Sequence, residues 1–126
     1  MDRQILVVDD EQMILDLYIK AFKKLECSVE TALSAEKAME ILDNSTYPVI
    51  FLDLKLPGMN GVELCRKIRE TNTDSMIYAV TGHTSIFEHA SCLEAGFNDY
   101  FKKPIDVTLL KDTALEGLEK YQAKKI

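Results

Sequence analysis

Three continuous apolar runs, Ile5-Leu6-Val7-Val8, Val49-Ile50-Phe51-Leu52 and Met76-Ile77-Tyr78-Ala79-Val80, constrain what this chain can fold into more than any other feature. A run of four to eight apolar residues bounded by turn signals, with no polar residue at every second position, reads as a strand buried on both faces. The middle run starts after Pro48 and stops at Asp53, ahead of the turn-rich segment Lys55-Leu56-Pro57-Gly58-Met59-Asn60-Gly61. The first run also stops at acid, Asp9-Asp10-Glu11, and the third stops at Thr81-Gly82. Strands buried on both faces need helices on both faces.

The intervening segments supply them. Ile14, Leu17, Tyr18, Ala21, Phe22 and Leu25 recur at i, i+3, i+4, i+7, i+8 and i+11, one face of an amphipathic helix. Cys27 to Ala32 alternates and reads as a short strand. Ser34 is placed to cap a helix carrying Ala35, Ala38, Met39 and Leu42, and Asn60 to cap one carrying Leu64, Cys65 and Ile68. Ser85-Ile86-Phe87-Glu88 has the form of a capping box, opening a helix that ends at Ala95-Gly96. Asp99 to Phe101 is a brief fifth strand, and Asp106 caps a last helix with Val107, Leu110, Ala114, Leu118 and Tyr121 as its stripe. Five strands alternating with five helices require right-handed crossovers and therefore a parallel sheet. The expected fold is a three-layer, doubly wound α/β sandwich. Two winding orders are common for such chains, one of them 2-1-3-4-5, in which strands 1 and 3 meet at the switch point.

In a parallel sheet all strand C-termini share one edge, where ligands of open α/β sheets bind. That edge would gather Asp9, Asp10, Asp53, Thr81 and Lys103. Three carboxylates at close range raise one another's pKa or demand a cation, and an all-oxygen donor set suits a hard ion such as Mg²⁺. Lys103 adds positive charge and Thr81 a hydroxyl, so the set suits a phosphoryl group with Asp53 as acceptor. Each residue taken alone has a plainer reading: the acids as first-turn residues favoured by a helix dipole, Asp53 as a turn residue, Thr81 as a loop start, Lys103 as a solvated charge.

Composition excludes other classes. The chain has 126 residues, enough for one domain and too few for two of ordinary size. Its 15 Lys and Arg against 21 Asp and Glu give a net charge of −6, contrary to the basic patch of a nucleic-acid or membrane-surface binder. No apolar stretch approaches the roughly 18 residues of a membrane span, and the N-terminus has no signal-peptide apolar region. Cys27, Cys65 and Cys92 are odd in number, widely spaced and form no CxxC, so they read as reduced core thiols of a cytoplasmic protein.

On these motifs the chain resembles a response-regulator receiver domain of two-component signalling. The resemblance rests on the pair Asp9-Asp10, the segment Asp53-Leu54-Lys55-Leu56-Pro57-Gly58-Met59-Asn60-Gly61, Thr81-Gly82, and Tyr100-Phe101-Lys102-Lys103-Pro104, in that order and each after a successive strand. It implies a flavodoxin-like sheet of order 2-1-3-4-5 flanked by five helices. It also implies that Asp53 is the phosphoryl acceptor, and that Asp10, Asp53 and the Lys55 backbone carbonyl hold Mg²⁺ directly, with Asp9 acting through water. Lys103 would contact the phosphoryl oxygens. Thr81 and Tyr100 would be the switch pair, and the Lys103–Pro104 bond would be cis. Lys55 and His83 flank the phosphoryl position and would influence its hydrolysis, with a solvated lysine and an exposed loop histidine as the plainer readings.

The implied donor is a sensor histidine kinase or a histidine phosphotransfer protein. The output would be altered binding of an unidentified downstream protein through the face of helix 4, strand 5 and helix 5, as a monomer or a phosphorylation-dependent dimer. The expectation is a signalling switch rather than a metabolic enzyme. It would occupy residues 1–126 without an output domain, acting alone or as a receiver excised from a larger protein. Two enzyme-like or carrier alternatives fit less well. A haloacid-dehalogenase-type phosphatase carries Asp-x-Asp, where Lys55 stands at the third position here, and a flavin carrier needs a phosphate loop where Asp9-Asp10-Glu11 lies. A receiver never phosphorylated in the cell is disfavoured by the intact acceptor, acid pair, threonine and lysine.

Overall fold

The computed structural model describes residues 3–82 and 86–125, with residues 86–88 described as helical backbone alone. Its strands are β1 (Gln4–Val8), β2 (Ser28–Ala32), β3 (Val49–Leu52), β4 (Met76–Thr81) and β5 (Asp99–Lys102). Its helices are α1 (Gln12–Lys23), α2 (Ala35–Asn44), α3 (Gly61–Thr71), α4 (Ile86–Ala95) and α5 (Val107–Lys124). The strands form one sheet of order β2-β1-β3-β4-β5, with every pairing parallel. The expected alternation and winding order are therefore both present.

Side chains one residue apart on a strand point to opposite faces, so each continuous apolar run feeds two cores. Leu6, Val8, Ile50, Leu52, Ile77 and Ala79 pack with α2, α3 and α4, including Ala38, Leu64, Cys65 and Cys92. Ile5, Val7, Val49, Phe51, Met76, Tyr78 and Val80 pack with α1 and α5, including Phe22, Leu110 and Leu118. On this second face Phe51 lies 5.5 Å from Tyr18, 5.5 Å from Phe22 and 5.3 Å from Tyr78 between ring centroids. The fully buried Phe51 thus joins α1 to the central strands, and truncating such a residue to alanine costs about 3–5 kcal/mol.

Three predicted caps form. Ser34 Oγ accepts from Lys37 N–H, Asn60 Oδ1 from Glu63 N–H and Asp106 Oδ2 from Leu109 N–H, at 2.9–3.1 Å. The proposed cap at Ser85 lies outside the described residues. Gly96 ends α4 at φ 109°, and both its N–H and that of Phe97 bond back to Cys92 O, the αL termination that favours glycine. The predicted stripe of α1 is rotated. Leu15 is buried in place of Leu17, which is 39% exposed, and Leu25 follows the helix end. Leu15 completes an inner arc with Tyr18, Ala21 and Phe22, while Leu17 lines the outer edge of the α1–α5 seam.

Candidate functional site

The site is assembled by the last rungs of the sheet. Asp53 N–H bonds to Val8 O at 2.9 Å, Asp9 N–H to Ala32 O at 3.1 Å, and Lys103 N–H to Thr81 O at 2.8 Å. Each residue that follows a strand is still pinned by its backbone to the neighbouring strand. Register does the rest: Val8 pairs with Leu52, and Leu52 with Ala79, so the residues beyond them emerge side by side at one edge.

The side chains then converge. Lys103 Nζ donates to Asp9 Oδ2 at 2.7 Å and to Asp53 Oδ2 at 3.0 Å. The other oxygens are held locally, Asp53 Oδ1 by Lys55 N–H at 3.1 Å and Asp9 Oδ1 by Glu11 N–H at 3.0 Å. Asp9 is 2% exposed and Asp53 6%, whereas Asp10 is solvent-facing. Two nearly buried carboxylates therefore share one ammonium, a geometry that fixes their aim. Burial raises the Asp53 pKa from its ordinary value, Lys103 and Lys55 N–H pull against the rise, and the like charge of Asp9 adds to it. For Lys103 burial disfavours the ammonium, but the hydrogen bonds to Asp9 and Asp53 outweigh it and its pKa is raised. Tyr18, beneath the site, has its hydroxyl pKa pushed up by burial first and then by Asp9 and Asp53.

One oxygen from each of Asp9, Asp10 and Asp53 lies within 4.8 Å of the others. Among the described residues, Lys103 is the one ammonium paired with this trio. The donor set is all oxygen and carries more negative charge than that ammonium balances, which fits a hard divalent cation such as Mg²⁺.

Thr81 ends β4 and is fully buried. Tyr100 pairs in register with Ala79, and both belong to the core on the α2–α4 side. Thr81, two residues past Ala79, faces the same way, so Tyr100 and Thr81 share a sheet face. The Lys103–Pro104 peptide is cis, as the resemblance implies. The Lys55 side chain is exposed beside the site, and His83 lies outside the described residues.

Sequence reading missed the support of the loop after Asp53. A Cβ on Gly61 would run into the carbonyl oxygen of Asp53 and lie 2.8 Å from Leu54 Cα, so only glycine lets α3 start this close. Gly61 N–H closes the loop onto Leu54 O at 3.0 Å, and Glu36 of α2 accepts from Met59 N–H at 3.3 Å on its far side. The turn-rich segment signalled a loop; the close approach itself depends on tertiary packing.

Comparison with known proteins agrees with this geometry. The family model described as "Response regulator receiver domain" matches residues 5–115. The response regulator MprA of Mycobacterium sp. (strain KMS) is 33% identical over 101 residues, covering 80% of this chain and 44% of that protein. A cyclic di-GMP phosphodiesterase of Thermotoga maritima is 32% identical over 107 residues, covering 85% of this chain and 28% of that protein. The chain thus spans less than half the length of these relatives. Among solved structures, a CheY-like receiver domain protein from Methanospirillum hungatei JF-1 superposes with a TM-score of 0.94 at 28% identity, over 98% of this chain and 99% of that one. The BeF3-activated DrrB receiver domain superposes at 0.86 with 31% identity, over 94% and 99%. With the family model matched over residues 5–115 and the winding order in agreement, the chain belongs to the response-regulator receiver domains of two-component systems.

Proposed function

We propose that the chain, residues 1–126 taken as one receiver unit, is a phosphorylation-controlled switch whose acceptor is Asp53. The observation that carries this reading is the Lys103 ammonium bridging the Asp9 and Asp53 carboxylates at 2.7 and 3.0 Å on the C-terminal edge of the sheet. The donor is the phosphohistidine of a sensor histidine kinase or of a histidine phosphotransfer protein. An Asp53 carboxylate oxygen attacks phosphorus, the P–O bond forms as the P–N bond breaks, and the imidazole leaves with the bonding pair. Asp10, Asp53 and the Lys55 carbonyl, with Asp9 behind them, would hold Mg²⁺, which supplies positive charge to the transferring phosphoryl oxygens. Lys103 moves its hydrogen bonds from carboxylate to phosphoryl oxygen, and Lys55 N–H keeps the remaining carboxylate oxygen in line. Catalysis of this kind is positioning and electrostatics, with little covalent work for the protein beyond the acceptor.

The acyl phosphate so formed is read by Thr81, whose hydroxyl turns to a phosphoryl oxygen, and by Tyr100, which shifts along the same sheet face toward the space that Thr81 leaves. The output is a population shift in the face made by α4, β5 and α5 that changes affinity for a downstream protein. Lys55, exposed beside the site, modulates phosphoryl hydrolysis, and the resemblance assigns the same role to His83, which lies outside the described residues. The chain so acts on its own phosphorylation state and not on a metabolite. Among the described residues no helix is long and apolar enough to cross a membrane.

The test is direct. Incubation with acetyl phosphate and Mg²⁺ should add the mass of one phosphoryl group, and Asp53→Asn should abolish the adduct. An unlabelled wild-type protein, or label that survives Asp53→Asn, rejects Asp53 as acceptor. Thr81→Ala should still take up phosphate yet lose most of the conformational response.

A further inference from the structure

Tyr100 on β5 lies flat against His89 on α4, with ring centroids 5.3 Å apart and planes 9° from parallel. His89 sits on the exposed side of its helix, whereas Tyr100 is half-buried and packs inward on the α2–α4 core. β5 is an edge strand paired only to β4, and α4 is the helix packed against it. The stack therefore joins two of the three elements that make up the proposed output face. Ring pairs at this separation attract in offset-parallel geometry, and the attraction exists only while Tyr100 stays beside α4.

We propose that His89 is a positioning residue of the switch, its imidazole face holding the Tyr100 ring against α4 in the unphosphorylated protein. The inference rests on the reading above, in which Tyr100 shifts toward Thr81 once Asp53 carries a phosphoryl group. Two arrangements compete for one ring. Stacked on His89, Tyr100 keeps α4 seated on β5; turned toward Thr81 along the shared sheet face, it releases that contact. An interaction made in only one of two states sets their ratio, and its removal shifts the ratio by its full worth. For an aromatic pair that is about a three- to ten-fold increase in the released arrangement. The stack would thus set how quiet the switch is at rest without touching the chemistry at Asp53.

The experiment reads the χ1 rotamer of Tyr100 through three-bond couplings to its ring carbon, in tyrosine-labelled protein with and without acetyl phosphate and Mg²⁺. These couplings do not depend on the ring current of a neighbour. Wild type should hold one rotamer at rest and move to another when phosphorylated. His89→Ala should populate the second rotamer at rest, whereas His89→Phe, which keeps a flat ring on α4, should restore the first. Phosphoryl uptake measured by mass should stay within about two-fold of wild type in both variants, because His89 lies outside the site that carries the chemistry. A resting His89→Ala protein with wild-type couplings overturns the clamp while leaving the Tyr100 movement intact. Failure of His89→Phe to restore the rotamer overturns the role of the stacked ring. Couplings unchanged by phosphorylation in wild type remove the Tyr100 movement and the clamp together.

Discussion

At the scale of single residues, the site is governed by one cation among carboxylates. Lys103 reaches Asp9 and Asp53, both almost wholly buried, and its removal leaves two like charges facing each other without an ammonium. Breaking a buried pair from one side costs about 3–5 kcal/mol. Lys103→Met should therefore lower the urea midpoint. It should also slow phosphoryl uptake from acetyl phosphate by roughly 10²–10³-fold, the usual loss when one preorganised donor to a developing oxyanion is deleted. Lys103→Arg keeps the charge but spreads it over a planar fork, so partial recovery is expected. Uptake at the wild-type rate in Lys103→Met would reject the assigned role. Asp10 permits a cleaner metal test because it is exposed and its loss leaves the buried pair intact. Mg²⁺ at 100 times its dissociation constant should stabilise the wild type by about 2.7 kcal/mol. Asp10→Asn should fold normally and show a much smaller rise in melting temperature on Mg²⁺ addition. An equal rise would place the ion elsewhere.

At the scale of elements, the site depends on how closely α3 approaches the loop after β3. Gly61 is the first residue of α3, and a methyl group there has no room beside the backbone of Asp53 and Leu54. Overpacking against backbone typically costs about 1–3 kcal/mol. Gly61→Ala should lower stability by that amount and slow uptake at Asp53, whereas Gly82→Ala, with no atom of the described residues within 4 Å of its Cβ, should not reduce stability through a clash with them. Equal urea midpoints for the two variants would contradict the packing argument. The difference marks what a sequence discloses about such a fold. Asp9, Asp53, Thr81 and Lys103 were legible because each ends or follows a strand, and a parallel sheet sends every strand end to one edge. The caps at Ser34, Asn60 and Asp106 were legible because their hydrogen bonds are local. Leu15 was not, since a stripe of period 3.6 admits neighbouring arcs and only packing on Phe51 and its neighbours selects one. Arg69 was equally hidden. It donates to Gly96 O, Ser75 O and Asn98 Oδ1 at 2.7–2.9 Å, tying α3 to the end of α4 and the start of β4 by contacts remote in sequence. The His89–Tyr100 stack has no sequence signature, because it depends on the seating of α4 against an edge strand.

For the whole molecule, one sheet separates two cores, and each core contains a titratable group that can report on it. Cys65 lies in the α2–α4 core and Tyr78 in the α1–α5 core. Burial raises the Cys65 thiol from 9.0 to about 12, and raises the Tyr78 hydroxyl from 10.0 to about 12, with Glu116 and Asp99 adding to the latter. In both cases the fold favours the protonated form. The unfolded chain therefore releases these protons at lower pH than the folded one, and over that interval it binds fewer protons. Stability is then complete below the unfolded pKa and falls as pH rises toward the folded value. Resistance to urea should weaken from pH 9.0 upward, where Cys65 begins to ionise in the unfolded chain, and more steeply above 10.0, where Tyr78 joins it. Cys65→Val should reduce the first part of the loss, to which the Cys27 thiol, also raised by burial, contributes, and Tyr78→Phe should reduce the second, which Tyr18 shares. If the two cores unfold as one unit, each substitution should change the pH dependence of a single shared transition followed by both circular dichroism and tyrosine fluorescence. Two separated transitions, with each variant affecting only one, would show instead that the faces of the sheet melt independently. A flat stability profile through this range would mean that neither group is as buried in solution as the packing of the two cores requires.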